Sequence, residues 1–181
     1  FPEGYRPLAH AINQMVGGHV AVKKKAMAVV RAFGEGDFDA PLEQLPGKKA
    51  FVNEAIERVR SNLTGLITQM NEMSAQHEAG DIDVVIDADC FSGDFRVMAQ
   101  GINDMVGGHI AVKKKAMAVV KRFGEGDFAA PLEQFPGKKA FINETIEEVR
   151  ERLQTLMEDS MMLATAAVQG QLDVRGDAGR H

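Results

Sequence analysis

The sequence predicts an all-α protein of long coiled-coil helices joined by extended connectors, and three observations predict it. Apolar residues recur at alternating steps of three and four over roughly four heptads, the 3.5-residue period of a supercoiled seam. Between these runs lie segments punctuated by Gly and Pro. One of them, GEGDFDAPLEQLPGKKAF from Gly34 to Phe51, returns as GEGDFAAPLEQFPGKKAF from Gly124 to Phe141. A register shift of 90 residues aligns the two halves, INQMVGGHV with INDMVGGHI and AVKKKAMAVV with itself.

The first helix carries Tyr5, Leu8, Ile12, Met15, His19, Val22, Ala26, Val29 and Phe33 on its seam. Gly34 and Gly36 end it, because Gly reaches the left-handed C-cap conformation without a side-chain penalty. Pro41, Pro46 and Gly47 then keep the chain out of helix until Lys48. Phe38, Leu42 and Leu45 are apolar pegs in that otherwise polar connector. The second helix runs along Val52, Ile56, Val59, Leu63, Leu66, Met70, Met73 and His77, and Gly80 closes it. Its connector carries Asp81, Asp83, Asp87 and Asp89. The third helix repeats the first as Phe95, Met98, Ile102, Met105, His109, Val112, Ala116, Val119 and Phe123. The fourth reads Ile142, Ile146, Val149, Leu153, Leu156, Ser160, Leu163 and Ala167. Each helix is roughly 30 residues, about 45 Å at 1.5 Å per residue.

A helix of that length with one apolar stripe needs neighbours, from this chain or from another copy of it. Val16, Val20, Met27 and Val30 widen the stripe of the first helix, which suits a four-helix core better than a two-stranded zipper. Gly17-Gly18, Gly107-Gly108 and Gly65 interrupt good helix formers at about 1 kcal/mol each relative to Ala. They are either weak spots or junctions where a helix leaves one bundle for the next. A Gly-Asp-apolar step recurs at Gly36, Gly80 and Gly126, and as Gly170-Gln171-Leu172, at spacings of 44, 46 and 44 residues. The structural unit is therefore half the long repeat.

Composition narrows the function. A formal charge of -5 over 181 residues argues against a nucleic-acid partner, and ten Met with no Trp describe an aliphatic core. The single Cys90 excludes an intrachain disulfide and suits a reducing compartment. No apolar run approaches the ~20 residues of a membrane helix, so no direct membrane insertion is expected of this stretch, which reads as a piece of a longer chain. His19 and His109 lie on the seam beside Met15 and Met105, and His77 in a similar layer. A metal or haem site is one reading and a polar layer fixing register is the favoured one, so no cofactor is expected. The acidic connector lacks the order of an EF-hand loop. Cys90 has no neighbouring base, and the lysines of residues 23–25 and 113–115 read as solvated faces. With no phosphate loop, nucleophile elbow or zinc spacing, an enzyme is not expected.

The step Gly, any residue, apolar, with a second apolar residue four positions on, fits Gly36, Phe38, Leu42; Gly80, Ile82, Ile86; and Gly126, Phe128, Leu132. With Ile102-Asn103-Asp104-Met105 in the following helix, it resembles the HAMP domain of bacterial receptors. The long unit with FGEGDF, PGKKAF and GINDMV is similar to the tandem HAMP region of methyl-accepting chemotaxis proteins. The family opens its second helix with an acidic residue two before a Gly. Asp94 keeps the acid with Arg96 in the Gly place, whereas Lys48 and Ala50 stand there in the first unit and Lys138 holds the acidic place in the third.

The resemblance implies stacked parallel four-helix bundles formed by a homodimer, with the second helix of one unit continuing into the first helix of the next. Carried over, residues 1-18 are the second helix of a preceding unit, 19-63, 64-106 and 107-153 are complete units, and 154-181 are a first helix and connector. It implies a signal relay between adjoining sensor and output domains of the same chain, cytoplasmic or in the cytoplasmic part of a membrane receptor. The connector residues, Asp94 and the seam histidines would be the structural and relay positions. A ligand- or haem-binding four-helix sensor, a histidine-kinase relay and a passive dimerising spacer are the alternatives.

Overall fold

The computed structural model describes residues 3–176 and 179; Phe1 and His181, which the long repeat relates to Phe91, lie outside them. The described residues form four long helices and no strand: α1 Arg6–Gly34, α2 Ala50–Glu78, α3 Asp94–Gly124 and α4 Ala140–Val168. Pro7 sits in the first turn of α1, where its missing N–H has no intrahelical partner to lose. Single 3-10 turns at Gly47–Lys49, Ala88–Cys90 and Gly137–Lys139 lie just ahead of α2, α3 and α4.

All four helices stop the same way. The amide of Gly36 donates to Phe33 O and that of Asp37 to Ala32 O, at 3.0 and 2.9 Å, which is the paired hydrogen bonding of a Schellman motif. The motif requires a left-handed residue, and Gly36, Gly80, Gly126 and Gly170 have φ of 87°, 103°, 84° and 78°. Gly34 is simply the last helical residue of α1. Asp37 and Asp127 then turn the chain by accepting from the amides of Asp39 and Ala129, each at 3.0 Å.

The chain divides into two compact units, one through Asn103 and one from Asp104, with α3 contributing to both. In the first unit Val29, Ala40 and Ile56 form a buried cluster, surrounded by Ala26, Phe33, Leu42 and Val52. In the second, Val119, Phe123, Ala130 and Ile146 do the same, with Ala116, Phe128, Leu132, Ile142 and Leu153 around them. Helix, connector and helix therefore share each core, and the apolar pegs of the connector are why. Lys25 and Asn53 both meet Glu43, and further along Arg60 meets Phe33, so α1 and α2 run parallel.

Burial departs from the simple seam in one respect. Ala99 is 0% exposed while the seam residue Met98 is 51% exposed, and Met73 is 6% exposed while Met70 is 40%. A helix tied to a neighbour in its own chain turns one flank of its stripe inward. The rest of the stripe, including Leu8, Met15, Met98, Met105, Val149 and Leu156, stays open in the single chain.

Candidate relay site

The connectors are held by side chains of the following helix. In the first unit Asn53, itself buried, accepts from the Leu45 amide at 3.0 Å and donates Nδ2–H to Glu43 O at 2.8 Å. Its amide thus copies a strand neighbour, satisfying both backbone groups of an extended segment that has no sheet. In the second unit Asn143 does the same for Phe135 N and Glu133 O, at 2.9 and 2.7 Å.

One helical turn pair further on, Arg60 donates to Phe38 O and, at 2.7 Å, to Ala40 O, while its guanidinium lies 5.0 Å from the Phe33 ring centre. Arg150 donates to Phe128 O at 2.5 Å and stacks 5.0 Å from Phe123. Phe33 also meets Phe38, with centroids 5.6 Å apart. A flat cation bridging connector carbonyls and a ring needs the Arg fork, which Lys lacks.

The connector between α2 and α3 is held differently. Asn103 grips both backbone groups of one residue, accepting from Ile86 N at 2.9 Å and donating to Ile86 O at 2.8 Å. Gln69 accepts from Asp87 N at 2.8 Å, and His77 Nε2 lies 2.8 Å from Val84 O, so that nitrogen carries the proton. Ile86 is 1% exposed, and the Phe91 ring lies over Gly65, where an added β-carbon would stand 3.6 Å from it.

The expected positions are distributed as follows. Gly36, Gly80 and Gly126 are the left-handed helix stops. Leu42, Phe128 and Leu132 join the cores, Phe38 packs its ring against Phe33, Ile86 is buried and Ile82 is exposed. Asp94 is the first residue of α3, where a carboxylate suits the helix dipole. His77 holds a connector carbonyl, whereas His19 and His109 are exposed in the single chain. Among the described residues no three His, Cys, Asp or Glu side chains converge on a metal position, and no helix is long and apolar enough to cross a membrane. In the acidic connector Asp89 pairs with Arg96 at 2.6 Å. Asp87 accepts from the Cys90 thiol at 3.1 Å, which lowers the carboxyl pKa and raises that of the thiol. Asp127 accepts from Arg122, which holds its carboxyl below the ordinary range.

Asn53, Asn143, Arg60, Arg150 and Gln69 were not singled out by motif. A signal was present, since Asn53 and Arg60 recur unchanged at the long repeat while Arg58, Ser61 and Asn62 become Glu148, Glu151 and Arg152.

Parallel helices, left-handed glycine stops and amide-clamped connectors define a serial array of helix–connector–helix units. The model described as HAMP N-terminal domain 3 matches residues 22–64 and again 112–154, and the second HAMP domain of the methyl-accepting chemotaxis protein McpB matches residues 63–108. The chain belongs to the HAMP domain family, as a tandem array. It is 34% identical over 182 aligned residues to Methyl-accepting chemotaxis protein McpB of Pseudomonas aeruginosa, an alignment covering 91% of this chain and 25% of that protein. The chain thus spans about a quarter of the length of that relative.

Proposed function

We propose that this chain is a non-catalytic signal-relay module of a chemotaxis transducer. It passes helix displacements along stacked, parallel, homodimeric bundles, on the cytoplasmic side of the membrane. Its complete units are residues 19-63, 64-106 and 107-153, flanked by the second helix of a preceding unit and the first helix of a following one. The observation that carries the reading is that one unbroken helix, α2, contributes its first half to the core with α1 and its second half to the grip on the next connector. A rotation or shift of α2 at Asn53 and Ile56 therefore reaches Gln69 and His77 through rigid backbone. The stripe through Met15, Met98, Met105 and Leu156 supplies a face for the second copy. Clamps of single amide and guanidinium groups, each worth about 1–2 kcal/mol, can exchange between two packings at modest cost.

The test is a Cys90→Ser, Ser160→Cys protein carrying a spin label on α4, with interspin distances measured before and after His19→Leu in α1. Relay predicts a displaced distance distribution. An unchanged distribution, with helicity intact, would make the array a passive spacer.

A further inference from the structure

His19 and His109 are the histidine pair that the long repeat relates, whereas His10 and His77 correspond to Gln100 and Ala167. Each follows a methionine by one helical turn on the same face, Met15 before His19 and Met105 before His109. Both methionines are open in the single chain, at 59% and 60%, and both histidines are exposed. His77 is held by Val84 O, but among the described residues neither His19 nor His109 has a hydrogen-bond or ion-pair partner. Between each Met and His stand two glycines, Gly17-Gly18 and Gly107-Gly108, and a β-carbon added at any of them would meet nothing within 4 Å. They cost the helix about 1 kcal/mol each and have no packing reason inside one chain.

The seam carrying these residues is the face left for a second copy. In a parallel homodimer each seam residue meets its own counterpart, so two imidazoles and two thioethers gather at one level of the dimer axis. Bare glycine turns let the two helices approach there. Side chains lean toward the amino end of their helix, which carries the His19 ring back toward the turn of Met15. Closing the dimer buries imidazoles whose nitrogens need partners, and one neutral imidazole can donate to the other without satisfying both rings. A cation between them takes a lone pair from each. We infer that the dimer seam holds two equivalent sites for a soft monovalent cation of the copper(I) class, one built from Met15 and His19 of both copies and the other from Met105 and His109 of both copies. Thioether sulfur selects a soft ion and imidazole nitrogen binds the same ion, whereas magnesium and calcium favour oxygen. Each site is incomplete in one chain, and the inference rests on the homodimeric reading.

The test titrates Cu(I), kept reduced without oxygen, into the full chain carrying Cys90→Ser, in competition with a coloured Cu(I) chelator and with the mass followed by sedimentation. One ion per histidine pair is expected. His19→Gln with His109→Gln keeps a polar layer but removes the nitrogen ligands, and should abolish binding while the dimer mass stays the same. His19→Leu alone should leave only the other site. Met15→Leu with Met105→Leu should weaken Cu(I) by about tenfold or more, and unchanged affinity there would overturn the copper(I) assignment. Cu(I) left wholly on the chelator, or binding that survives both Gln changes, in a protein that is still a dimer, would overturn the sites and leave the relay array intact. A monomer at every concentration would overturn the homodimer and the sites with it.

Discussion

Asn143→Ala is the most informative single change. Asn143 and Phe135 are both 5% exposed, and the substitution removes the bonds of 2.9 and 2.7 Å to Phe135 N and Glu133 O. Glu133 is an exposed residue whose carbonyl regains water, so the main loss is the buried Phe135 amide left without an acceptor. An orphaned buried group costs about 1–3 kcal/mol, and the lost bond to Glu133 adds about 0.5–1. The expected total is about 1.5–4 kcal/mol, roughly a 10- to 800-fold rise in the local opening equilibrium. Native-state hydrogen exchange at Phe135 and along the first turns of α4 reads it directly. Asn143→Asp keeps the acceptor but sets a carboxylate against Glu133 O. It should be no better than Ala at neutral pH and improve on acidification, when a protonated carboxyl can donate. A cost below about 0.5 kcal/mol for the Ala variant would refute the claim that the amide secures the connector.

Three further outcomes follow from the same geometry. Arg60→Lys should destabilise the first unit by about 1–2 kcal/mol in urea unfolding, because an ammonium cannot bridge two carbonyls while stacking on Phe33. Asp127 has its folded pKa lowered, chiefly by Arg122, so its small contribution is present above the unfolded value of about 3.9 and fades as pH falls through the folded value. Carboxyl NMR titration should show Arg122→Ala moving Asp127 upward. Cys90, raised first by its hydrogen bond to Asp87, should alkylate more slowly at pH 8 than an unstructured thiol, and Asp87→Ala should speed it.

Much of this architecture is legible in the sequence because backbone constraints write themselves into residue type. Only Gly fits the left-handed stops at positions 36, 80 and 126, and Pro41 and Pro46 mark chain that must stay extended. The 3.5-residue period locates the helices for the same reason. The clamps are less legible, because an Asn or Arg beside a seam looks like surface until the connector is laid against it. Asn53 and Arg60 become readable only when the repeat is used to ask which polar residues stay fixed. The flank actually buried is that of Ala99 rather than Met98, one turn before the Asn103 that grips Ile86, and periodicity alone does not resolve a one-residue rotation.

The most direct test of the central claim is disulfide cross-linking in a Cys90→Ser background, with single cysteines at Met98, Met105 and, as control, Gln100. A parallel homodimer places each seam residue opposite its own copy, so Met98→Cys and Met105→Cys should link chains efficiently while Gln100→Cys, on another face of α3, should not. Equal linking at all three positions, or a monomer that links at none, would contradict the stacked parallel array.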